Sequence, residues 1–163
     1  MSIGRPFRLK GFFELTYSGK DLNALIYLIG EDRKNIRELK AFIKENRIEN
    51  VRMVGEKAHE ELYKWYSAAD IFTLASHSEG WPNCVMEALA CGTPCVVTKE
   101  SGGEFIKGEL GFITSYANLA ETLNKALNGE WERDKILSFS RENSWENTAR
   151  NVHRLFKSLL GKS

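Results

Sequence analysis

A chain of 163 residues with 42% hydrophobic and 28% charged content has the make-up of a single folded domain and not of a disordered or fibrous chain. Its 23 Lys and Arg against 22 Asp and Glu leave a net charge of +1, so no global field draws it to nucleic acid or an anionic bilayer. No apolar run approaches the roughly 18 residues that cross a bilayer, and the opening stretch is too short for a signal peptide, which reads as a cytoplasmic protein.

Strand-like apolar runs recur along the chain at residues 1–4, 24–29, 51–54, 71–74, 94–97 and 111–113. Most lack alternation of apolar and polar residues, so both faces should be covered, as in parallel strands. Helical patterns fall between them. The clearest is 32–47, where Ile36, Leu39 and Ile43 recur at three and four residues, and 60–69, 83–91 and 116–128 complete the alternation. Repeated strand and helix predict an α/β, Rossmann-like, doubly wound parallel sheet of about six strands. After residue 128 the pattern is helical only, at 131–139 and 144–160, which divides the chain into a domain at 1–143 and a carboxy-terminal helix at 144–163.

In such sheets ligands sit beyond the carboxyl ends of the strands, where the strand order reverses. The loops to search are 4–10, 30–32, 55–59, 75–82 and 98–103. Cys84, Cys91 and Cys95 have neither a CxxC pairing nor a nearby His, and read as a reduced, buried set.

The richest stretch is 76–94, SHSEGWPNCVMEALACGTP. Glu79 lies in the loop after an apolar strand, Pro82 where helices begin, and Glu87 inside the helix. Asn83 and Glu87 stand four apart and share a helical face. The free amides and dipole of the helix start suit a phosphate. A carboxylate one turn deeper suits the hydroxyls of an attached ribose, and Glu79 in the preceding loop suits a sugar on the far side of the phosphate.

Glu79 and Glu87, with seven residues between them, resemble the E-x7-E motif of family 4 glycosyltransferases, and EGWPNCVMEALACGTPCVV is similar to that family's signature. Gly4-Arg5 and Lys10-Gly11 resemble its G-R and K-G loop, residues 50–75 its next strand, helix and strand, and 139–145 its closing helix. The resemblance implies half of a GT-B architecture, the carboxy-terminal donor-binding domain of a retaining hexosyltransferase that is inactive alone. A UDP or GDP sugar is the implied donor, with no metal and no other cofactor. The acceptor, a glycan or lipid-linked molecule, would be held by an amino-terminal domain outside this sequence, either earlier in a longer protein or in a separate chain. Met1 lies almost on the first strand, which favours a piece of a longer protein. Any contact with the inner face of a membrane would depend on that other half.

By the same resemblance Arg5 and Lys10, with Gly4, would hold the donor diphosphate and offset charge on the leaving group. Glu79 would bind the transferred sugar and Glu87 the ribose. The backbone of Gly80, Trp81, Pro82, Asn83, Cys84 and Val85 would meet the phosphates, and that of Glu56, Lys57 and Ala58 the base. Gly102 and Gly103 would border the sugar. Two departures bear on sugar preference: Trp81-Pro82 replaces aromatic-glycine steps, and GGEF at residues 102–105 lacks a proline.

Other readings of the residues are plainer. Arg5, Lys10 and Glu87 suit solvated surface charges, His77 a structural role without a visible partner, and Tyr63, Trp65 and Tyr66 packing. The GxGxxG of dehydrogenases and the GxxxxGK[ST] of P-loop enzymes are absent from the sequence. A glycosidase would need both acids flanking one bond. Half of a sugar-nucleotide epimerase and a non-catalytic nucleotide-sugar-binding module remain as alternatives.

Overall fold

The computed structural model describes residues 1–5, 7–31 and 33–161. Six strands form, all pairing in parallel: β1 (Ser2–Ile3), β2 (Ile26–Ile29), β3 (Val51–Gly55), β4 (Phe72–Leu74), β5 (Cys95–Thr98) and β6 (Gly111–Thr114). The helices are α1 (Phe12–Ser18), α2 (Ile36–Glu45), α3 (Leu62–Ala68), α4 (Asn83–Ala90), α5 (Leu119–Leu127), α6 (Arg133–Glu142) and α7 (Trp145–Leu160). The helix expected from residue 32 is α2; Asp32 itself lies outside the described residues.

The strands hydrogen-bond in two sets of three, β1-β2-β3 and β4-β5-β6. Two main-chain bonds join the sets: Met1 N donates to Ile71 O at 2.9 Å, and Thr73 N to Met1 O at 2.8 Å. Side by side the strands run β3-β2-β1-β4-β5-β6, and the order reverses between β1 and β4. β1 has only two residues, so the join is narrow.

Each face of this layer carries its own core, which explains why the strands do not alternate. On one face Leu28 and Val96 pack with Phe12 and Leu15 of α1, Leu39 of α2 and Leu119 and Leu123 of α5. On the other, Phe72, Leu74, Cys95 and Val97 pack with Tyr66 of α3, Val85 and Leu89 of α4 and Ile136 of α6. The helices α1, α2 and α5 thus cover one side, and α3, α4 and α6 the other.

Helix α7 differs from the rest. Ser144 caps it by accepting from Asn147 N at 3.3 Å, yet none of its residues is buried. Val152, Leu155, Phe156 and Leu159 make an exposed apolar stripe. No helix among the described residues is long and apolar enough to cross a membrane.

Candidate functional site

The reversal between β1 and β4 leaves the loops after these two strands facing one another, and a crevice opens there in doubly wound sheets. Gly11 lets them close. It has φ 65°, and a Cβ on it would lie 1.8 Å from Ala75 O, so the backbone after β1 presses directly on the end of β4. One residue earlier, Lys10 reaches across. Its Nζ is 2.5 Å from Glu79 Oε1, and the two side chains are only 18% and 15% exposed. The same Oε1 accepts from Ser76 Oγ at 2.6 Å. Gly4 has φ 141°, and the Lys10 stem lies where its side chain would be.

Arg5 pairs with Glu56, the residue after β3, at 3.4 Å. Both side chains are more than half exposed, at 65% and 56%, so this pair is weak and easily exchanged. Ala58 is exposed nearby in sequence, but Lys57 turns away: its ammonium sits 5.8 Å from the Trp65 ring centroid.

Helix α4 starts at Asn83 after Pro82, and no side chain caps it. Glu87 Oε2 accepts from the Tyr66 hydroxyl at 2.8 Å. Glu87 shares the outer face of α4 with Asn83 and Met86, and this face forms one wall of a cleft of about 740 Å³. Trp81 stands at its rim, stacked on Phe105 at 5.2 Å; Ser144, Trp145 and Thr148 form the opposite wall. Cys84, the second residue of α4, is partly buried. Burial pushes its thiol up to about 12, with Lys10 opposing that rise and Glu79 and Glu87 adding to it. Lys10 and Glu79 meet just beyond the end of β4, while Glu87 lies a turn inside α4 on the wall of the cleft.

Not every expected contact is open. The Val85 side chain is fully buried in the core and its amide donates to Pro82 O at 2.9 Å, while the Asn83 amide donates to Trp81 O at 3.0 Å. Those two amides are spent within the turn. A Cβ on Gly80 would meet nothing within 4 Å, and one on Gly102, with φ 65°, would lie 3.4 Å from Glu79 O and Gly80 O. Gly103 is buried against Val97. Ser76 and Tyr66 join the site without having been expected there; only Ser76, three residues before Glu79, left a sequence cue. Among the described residues no group of three or more His, Cys, Asp or Glu is placed to hold a metal. The cysteines are free; Cys95 is buried, and Cys84 and Cys91 are partly so.

Residues 9–129, which include the Lys10–Glu79 pair and all of α4, match the family model for glycosyl transferases group 1. The chain belongs to that family. Among curated group 1 relatives, an uncharacterized glycosyltransferase of Methanocaldococcus jannaschii is 27% identical over 166 residues, covering 96% of this chain and 47% of its own. A D-inositol 3-phosphate glycosyltransferase of Corynebacterium urealyticum is 30% identical over 118 residues, 67% of this chain and 28% of its own. Among solved structures, Anabaena HepE in complex with UDP and glucose superposes with a TM-score of 0.81 at 19% identity, over 96% of this chain and 47% of that one. The lipopolysaccharide outer core galactosyltransferase WaaB gives 0.80 at 19%, over 99% and 48%. The solved neighbours share the Rossmann-like α/β fold of this group 1 domain. The chain spans about half, or less, of the length of these relatives.

Proposed function

We propose that this chain is the carboxy-terminal, donor-binding domain of a retaining family 4 glycosyltransferase, moving a hexose from a UDP or GDP sugar to a sugar or lipid-linked acceptor. The observation that carries the reading is the largely shielded Lys10–Glu79 pair at the reversal of strand order, followed by a helix that presents Asn83 and Glu87 to a cleft. Relatives of the fold have been solved with UDP and glucose, and with UDP and GlcNAc, which supports the donor class.

The chemistry follows from the pairs. A diphosphate beside Lys10 and Arg5 competes with Glu79 and Glu56 for their charges, and Arg5 is the looser of the two. Once Lys10 turns to phosphate, Glu79 is free to accept hydrogen bonds from hydroxyls of the sugar. As the glycosidic bond breaks, negative charge grows on the departing diphosphate, and the same two cations stabilise it. Glu87, already oriented by Tyr66, accepts from the ribose. The acceptor is bound by an amino-terminal domain, against which the apolar stripe of α7 packs, and transfer requires that domain.

Calorimetric titration of the chain with UDP, GDP and their sugar conjugates tests this. Saturable binding to one base is expected, and binding to none counts against the reading. Glu87→Gln should weaken nucleotide and conjugate alike, whereas Glu79→Gln should mainly remove the preference for the conjugate. Equal losses in both variants would refute that division of roles.

A further inference from the structure

We propose that His77 is a positioning residue that aligns the Lys10 loop with the Glu79 loop and thereby sets the sugar end of the crevice. The inference rests on the donor-binding reading above and adds a residue to it. His77 stands two residues before Glu79, and its amide donates to Leu9 O at 2.9 Å, one residue before Lys10. The two strand-end loops are therefore bonded to each other beside the ion pair.

The imidazole extends the tie in two directions. Nε2 lies 2.9 Å from Glu14 Oε1 on α1, the helix that begins right after Lys10 and Gly11. Nδ1 lies 3.1 Å from the Tyr116 hydroxyl, just past β6, and the rings stack at 5.0 Å and 28°. The Tyr116 hydroxyl has one hydrogen and lies within reach of both Ala75 O, at 3.0 Å, and Nδ1, so a neutral ring that donates from Nε2 to Glu14 accepts from the tyrosine at Nδ1. One side chain thus spans α1, the β4 loop and the segment after β6.

Burial does not account for this ring, whose side chain is 43% exposed. Its contacts are polar and directional instead. The second Glu14 oxygen is buried without a donor among the described residues, so the His77 bond is what holds that carboxylate. Because Glu14 stands on the helix that directly follows Lys10 and Gly11, and His77 two residues before Glu79, the bond fixes the lateral offset between lysine and acid. An acid that must meet sugar hydroxyls needs placement within about 0.5 Å, which such second contacts provide.

The test uses the full chain and whichever nucleotide and conjugate it binds, UDP with UDP-glucose or GDP with GDP-mannose. His77→Phe keeps the stacking and loses both polar contacts; His77→Gln keeps a donor for Glu14. With the loss of one positioned, charge-assisted bond, His77→Phe should weaken the conjugate about 5- to 10-fold and the bare nucleotide less than about 2-fold. His77→Gln should recover most of the loss. Equal weakening of both ligands, no weakening, or no recovery with Gln overturns the proposal. A wild-type chain that binds none of the four ligands overturns the donor reading instead, and amide hydrogen exchange then decides the tie by itself. Residues 8–11 and 76–80 should exchange faster in His77→Phe than in wild type; unchanged exchange would show that the ring does not hold the loops.

Discussion

The bond between Tyr66 and Glu87 can be tested without any ligand. Tyr66 is 1% exposed and its hydroxyl donates to Glu87 Oε2 at 2.8 Å. Burial, with the Glu87 charge second, holds the phenol far above its usual range, so the donor keeps its hydrogen at every working pH. Tyr66→Phe removes only the hydroxyl and preserves the edge contact of the ring with Phe72 at 5.4 Å. A hydrogen bond to a charged group is worth about 1.5–3 kcal/mol. Glu87 remains partly exposed and recovers water, which places the loss at the low end, about 1.5–2 kcal/mol, or about 3–8 °C in Tm for a domain of this size.

Glu87→Ala should cost more, because it strands the buried hydroxyl without an acceptor at about 1–3 kcal/mol and removes side-chain packing as well. The double variant should then be less destabilised than the sum of the single ones, since the hydroxyl is no longer there to be stranded. Urea unfolding followed by circular dichroism, with the slope unchanged, measures all three differences. A Tyr66→Phe effect below about 0.3 kcal/mol, or strict additivity in the cycle, would show that the bond is not formed in solution. The same reasoning makes Glu87→Gln, which retains an acceptor for Tyr66, the cleaner probe of ribose binding.

Three further outcomes are expected. Glu56→Gln releases Arg5, so nucleotide affinity should rise about 2- to 5-fold at low salt and the gain should fade as salt is added; a fall would mean that Glu56 itself holds the ligand. Gly11→Ala places a methyl 1.8 Å from Ala75 O at a φ of 65°, which should cost about 3 kcal/mol or more by thermal unfolding, and a Tm close to wild type would contradict the observed approach of the loops. Burial raises the thiols of Cys84 and Cys95, so both should resist iodoacetamide at about pH 8 in the folded chain and react in urea, as read by mass spectrometry; rapid native labelling of either would contradict its placement.

The strands were readable in the sequence because both their faces are buried, which leaves unbroken apolar runs such as Ile26–Ile29 and Cys95–Thr98. Helix α1 was not, since its 7 residues complete barely two turns, too few for a 3.6-residue period to show in Phe12, Leu15 and Thr16. The shared face of Asn83 and Glu87 was legible from their spacing, and both do line one cleft. Their partners were not. Lys10 and Glu79 stand 69 residues apart, and Tyr66 and Glu87 21, distances that only the tertiary crossing of loops and helices can close. Tyr66 reads as packing from its helical spacing, which is right for the ring and silent about the hydroxyl. His77 has no partner along the sequence because Glu14 and Tyr116 arrive from 63 and 39 residues away.

The pairing of Lys10 with Glu79 has a bearing on selectivity. An anion that draws the lysine away leaves the glutamate and the serine beside it without a positive neighbour, at a largely shielded position where stranded charge is unfavourable. Inorganic phosphate or a bare nucleoside diphosphate can do no more than that. On the proposed donor reading, a molecule carrying hydroxyls just beyond its diphosphate would satisfy both ends of the broken pair, and the chain would discriminate by what its own acid and base demand in exchange for letting go of each other.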